Sequence, residues 1–103
     1  MRYYHSMEKE AIINEVVGIV RRYLPEGYKI YLFGSWAKGN ALKTSDLDVG
    51  ILGETAVSDD IMTKISREVQ TISTLRGIDV VDLREKSDNF RKGILKYARL
   101  IKG

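Results

Sequence analysis

Two aspartates one residue apart, Asp46 and Asp48, open the hydrophobic run Asp-Leu-Asp-Val-Gly-Ile-Leu. Ten residues separate them from the end of an earlier hydrophobic run at Gly34-Ser35. In a β-strand, residues two apart point to the same face, so both carboxylates aim at one place while Leu47 and Val49 turn into a core. Like charges so placed repel and resist burial, and a divalent cation relieves both costs. Magnesium takes hard oxygen ligands at about 2.0–2.1 Å, commonly one or two carboxylates, with water and phosphate oxygens completing the octahedron. The acids therefore imply magnesium, and magnesium implies a phosphate.

Gly34-Ser35 supplies a second half to such a site. A glycine after a strand lets backbone come close to a ligand, and N–H groups at the start of a helical turn, with the Ser35 hydroxyl, can hold phosphate oxygens. Ser35 is a phosphate contact in this reading and not a nucleophile, because no histidine or other base stands near it in the sequence. Lys38 and Lys43 add positive charge nearby. A two-metal site, which stabilises both attacking and leaving oxygens at phosphorus, needs a third acid. The segment Ile78-Asp79-Val80-Val81-Asp82-Leu83 offers Asp79 and Asp82, which face opposite sides because they are three apart. Strand phase alone leaves both open.

The elements that must hold these groups follow from periodicity. Residues 7–24 repeat Ile12, Ile13, Val16, Val17, Val20 and Leu24 at helical spacing, and Pro25-Glu26-Gly27 ends that helix. Residues 28–33 read as a strand, 46–52 as a second, and 78–83 as a third. Ser58 caps a second helix, carrying Ile61, Ile65, Val69 and Ile72 and ending near Gly77. Ser87 caps a last helix in which Phe90, Ile94, Tyr97 and Ile101 form an apolar stripe and Arg91, Lys92, Lys96, Arg99 and Lys102 a basic surface. Helix, strand, strand, helix, strand, helix predicts an α+β fold with a small sheet covered by helices on one face. Residues 1–6 carry no periodicity and read as a loose tail.

Composition narrows the function classes. The 103 residues are expected to form one domain, 1–103, around a single core. Cysteine is absent, which excludes disulfides and thiolate metal sites, and the lone histidine, His5, argues against a histidine-based zinc site or a Ser-His-Asp triad. No apolar run approaches the roughly 20 residues of a membrane span, and the N-terminus lacks a signal-peptide core, so no membrane is expected and a cytoplasmic protein is. A net charge of +3 does not require a nucleic acid.

Gly-Ser, ten residues, Asp-x-Asp and a later strand acid together resemble the nucleotidyltransferase superfamily of DNA polymerase beta, poly(A) polymerases and aminoglycoside nucleotidyltransferases. The short length and the segments Gly-Ser-Trp-Ala-Lys-Gly and Ser-Asp-Leu-Asp-Val-Gly are most similar to the minimal nucleotidyltransferases, over about residues 12–101. Those proteins are often encoded beside a HEPN-domain partner, as the antitoxin of a toxin–antitoxin pair. The resemblance implies the minimal version of that fold, with a small mixed sheet. It makes Gly34 and Ser35 the triphosphate contacts, Asp46 and Asp48 ligands of two Mg²⁺ ions, and Asp79 the third ligand and base, with Asp82 the fallback. Trp36 departs from the Arg, Tyr or Phe more usual there.

The activity implied is transfer of a nucleoside monophosphate, AMP from ATP, to a hydroxyl, with a tyrosine of a HEPN-type toxin as the favoured acceptor. So short a chain lacks the second domain with which larger relatives bind an acceptor, so a partner subunit or a homo-oligomer is expected to complete the cleft. Two other readings stand beside this one: an antitoxin that neutralises its partner by masking, and transfer to a small molecule or an RNA end.

Overall fold

The computed structural model describes residues 4–34, 37, 46–74 and 76–103, with side chains from Lys9 onward. The elements in order are α1 (Tyr4–Tyr23), β1 (Lys29–Phe33), β2 (Leu47–Leu52), α2 (Asp59–Val69), β3 (Ile78–Asp82), a 3-10 turn (Leu83–Glu85), α3 (Asp88–Tyr97) and β4 (Arg99–Lys102). The fold is α+β around a mixed four-stranded sheet of order β3-β2-β1-β4. β1 is antiparallel to both its neighbours, while β2 and β3 are parallel.

Alternation along the strands decides what the sheet faces. Ile30, Leu32, Leu47, Val49, Ile51, Ile78 and Val80 point to one side and are buried there under Ile12, Ile13, Val16, Ile19 and Val20 of α1 and Ile65 and Val69 of α2. Each such side chain contributes about 1.5–3 kcal/mol when fully buried. Arg22 and Tyr23 of α1 both hydrogen-bond the Glu68 carboxylate of α2, joining the two helices across this layer. Ser58 caps α2 by accepting from the Ile61 N–H at 3.3 Å, and Asp59 and Asp60 complement its dipole.

Parallel neighbours cannot be joined by a hairpin, so α2 carries the chain from the far end of β2 back to the start of β3. That crossover sets the starts of β2 and β3 side by side, with the end of β1 next to them. Three strand ends meet at one end of the sheet.

Three boundaries differ from the periodicity. α1 begins at Tyr4, so residues 4–6 are helical and not a loose tail. α2 ends at Val69, short of Gly77, because hydroxyls beyond it take over backbone partners: Thr71 Oγ1 donates to the Glu68 carbonyl at 2.6 Å and Thr74 Oγ1 accepts from the Arg76 N–H at 3.2 Å. The last helix ends at Tyr97, where Ala98 turns extended, and Arg99–Lys102 becomes an edge strand on β1. Helical spacing extends the apolar stripe to Ile101, but the open hydrogen-bonding edge of β1 outweighs one more helical turn. Among the described residues no helix is long and apolar enough to cross a membrane.

Candidate active site

The site lies where the three strand ends meet, on the face opposite the core. β1 closes with Gly34 at φ +74°, the one positive φ among the described residues. A Cβ there would stand 2.4 Å from Asp48 Oδ2, so the missing side chain is the space the carboxylate occupies. Phe33 pairs with Asp48 across β1 and β2, and Asp48 pairs with Asp79 across β2 and β3. Paired residues share a face, so Asp48 and Asp79 present their carboxylates side by side.

Asp46 sits one residue before β2, on the same side as Asp48 by the two-residue period. Its carboxylate lies over Gly77, where a Cβ would stand 2.7 Å from Oδ1, and the Leu47 N–H donates to the Gly77 carbonyl at 2.8 Å. Gly77 therefore couples the start of β2 to the start of β3. Sequence reading gave Gly77 only the end of a helix; its place two residues before a strand acid was the one available signal.

Asp48 feels the charges of the other two acids. Asp48 is half-buried, and its carboxyl is held above the ordinary value of 3.8, first by burial and then by the negative charges of Asp79 and Asp46. Among the described residues none of the three has an ion-pair partner. Nor do any three acid, histidine or cysteine side chains among the described residues close into a ready metal cage. Uncompensated like charges hold apart, and a cation would draw them in. Oxygen-only donors, two glycine cradles beneath carboxylates and a carboxyl pushed up by burial and by its negative neighbours all fit a hard divalent ion.

Asp82 does other work. It is buried on the opposite phase, accepts from the Val57 N–H at 2.7 Å and the Arg84 N–H at 3.0 Å, and caps the 3-10 turn. Of the two acids that strand phase left open, the structure brings Asp79 beside the pair. Ser35, Trp36, Lys38 and Lys43 lie outside the described residues.

Comparison with known proteins follows the same lines. The family model described as Polymerase beta, Nucleotidyltransferase matches residues 14–103. The chain is 27% identical over 74 residues to the protein adenylyltransferase MntA of Shewanella oneidensis, covering 72% of this chain and 52% of that protein. It thus spans about half the length of the curated relative it matches. In fold it is similar to a chain of a toxin–antitoxin crystal structure with AMP-PNP, with TM-score 0.73 and 23% identity over 87% of this chain and 72% of that one. It is also similar to a chain of a tri-AMPylated Shewanella oneidensis HEPN toxin in complex with MNT antitoxin, with TM-score 0.70 and 20% identity over 91% and 71%. With the family model covering both the paired acids and the third strand, the chain belongs to the polymerase beta nucleotidyltransferase family.

Proposed function

We propose that this protein is a magnesium-dependent nucleotidyltransferase that moves AMP from ATP to a hydroxyl of a protein acceptor, a tyrosine of a HEPN-type toxin, and so acts as an antitoxin. The observation that carries the reading is the register of Asp48 with Asp79, which sets the third acid beside the Asp46–Asp48 pair at the end of the sheet. The similarity to a protein adenylyltransferase and to MNT–HEPN complexes supports the acceptor class.

Asp46, Asp48 and Asp79 would hold the ions, which supply positive charge to the triphosphate and to the oxygens at the reacting phosphorus. The chain's own residues do the rest. Gly34 brings the backbone against the phosphates, with Ser35 beside it as a donor. The acceptor oxygen forms a bond to the α-phosphorus, the bond from that phosphorus to the bridging oxygen of the β-phosphate breaks, and pyrophosphate leaves with the electron pair. Asp79, exposed next to Asp48, takes the hydroxyl proton.

The test is incubation with α-labelled ATP, Mg²⁺ and the HEPN-type product of a neighbouring gene. Label on that product supports the reading; none, while a close relative labels its own partner in parallel, contradicts it. An Asp46→Asn, Asp48→Asn double variant separates transfer from masking. Neutralisation is lost with transfer and kept with masking.

A further inference from the structure

We propose that the surface formed by α3 and β4 is the docking face for an acidic polypeptide, which it seats on the same face of the sheet as the acids. The identification of that polypeptide as the acceptor rests on the proposed transfer; the docking itself does not.

Charge is distributed unevenly along the chain. Residues 84–103 hold seven basic residues against two acids, while the remainder holds ten against twelve. Some of these cations have structural tasks: Arg84 Nε donates to the Gly53 carbonyl at 2.9 Å, and Arg91 pairs with Asp88 and donates to the Leu83 and Lys86 carbonyls. Lys92, Lys96, Arg99 and Lys102 are exposed, and among the described residues none has an ion-pair partner. Within this band stand the large exposed apolar side chains, Phe90 at 49%, Tyr97 at 56% and Leu100 at 50%. α3 buries none of its residues fully. Phe90, Ile94 and Tyr97 follow at the spacing of one helix face, the pattern by which one helix engages an apolar partner.

The sheet register connects this surface to the site. Leu100 pairs with Tyr31, and Tyr31 with Gly50, on the face opposite the core; the next row on that face is Phe33, Asp48 and Asp79. A polypeptide lying on Leu100 therefore lies on the same face of the sheet as the acids, with β1 between it and Asp48. Its own carboxylates would meet the lysines of α3, and its apolar side chains Phe90, Tyr97 and Leu100. A nucleic acid fits less well. The aromatic rings already carry ammonium groups, Lys86 over Phe90 and Lys96 over Tyr97, each 5.6 Å from the ring centroid, which obstructs base stacking.

The test measures binding without nucleotide, using a random glutamate–tyrosine copolymer as the acidic polypeptide, a lysine–tyrosine copolymer as its opposite, and single-stranded poly(U). The expected result is salt-sensitive binding of the acidic copolymer alone. The Lys92→Glu, Lys96→Glu double variant is expected to weaken it at least tenfold, and Phe90→Ser severalfold at unchanged charge. Lys64→Glu on α2 should leave it unchanged, and circular dichroism verifies that each variant is folded. Equal loss with Lys64→Glu, no effect of Phe90→Ser, tighter binding of poly(U), or self-association through this face would each overturn the proposal. Because binding is read without ATP, an inactive enzyme leaves this test standing.

Discussion

Asp48 and Asp79 stand directly beside each other across the parallel β2–β3 pair, and each side of that relationship has a backbone cause. The crossover through α2 starts both strands at the same end of the sheet, and the glycine at φ +74° ending β1 leaves room for the Asp48 carboxylate. Burial and the neighbouring negative charges then hold Asp48 above its ordinary range. The fold keeps this repulsion although nothing in the core needs it.

Metal-free stability should therefore improve when the charge is removed. Between the unfolded value of 3.8 and its raised folded value, Asp48 binds more protons in the folded state than in the unfolded one. Its contribution thus becomes less favourable as pH rises through that window. Asp48→Asn lacks this dependence, so its Tm should exceed that of the wild type by a few degrees at neutral pH, with the gap closing toward pH 3.8. Added Mg²⁺ should raise the wild-type Tm and leave that of the variant nearly unchanged. Thermal melts across pH, with and without metal, check both.

Gly77→Ala should act through Asp46. The new Cβ would stand 2.7 Å from Asp46 Oδ1, tighter than any ordinary contact, so the carboxylate or the strand start must move. The destabilisation should fall away in an Asp46→Ala background, giving a coupling energy of about 0.5–3 kcal/mol in a double-mutant cycle. Equal cost in both backgrounds would show that Gly77 does not hold Asp46. Gly93→Ala, inside α3 with open space around it, should instead stabilise by about 0.5–1 kcal/mol.

The two strand acids should separate cleanly by assay. Asp82→Ala leaves the buried Val57 N–H without its acceptor and should cost about 1–3 kcal/mol in chemical denaturation. Asp79→Asn removes an exposed charge from a repulsive row and should cost no stability. A stable Asp82→Ala protein would remove the structural role assigned to that residue.

Much of this arrangement was legible in the sequence, for identifiable reasons. Asp46 and Asp48 share a face because strand period is two, and that holds wherever the strand lies. The choice between Asp79 and Asp82 depends on which face of β3 meets α1 and α2, which a five-residue strand apolar on both faces does not reveal. Gly77 matters through the carboxylate of Asp46, distant in sequence, which its place two residues before a strand acid does not reveal. The segment Arg99–Lys102 has residues compatible with either helix or strand, and the open edge of β1 decides. The helix caps at Ser58 and Ser87, being local, were legible throughout.

The most direct measurement is the rate of AMP transfer from α-labelled ATP to a HEPN-type partner by Asp79→Asn, alongside the wild type at matched Tm. An acid that accepts the hydroxyl proton and helps hold the ions predicts a rate lower by at least about 10²–10⁴-fold with the fold intact. A folded Asp79→Asn protein that transfers AMP at the wild-type rate would contradict the site assigned to the row of acids.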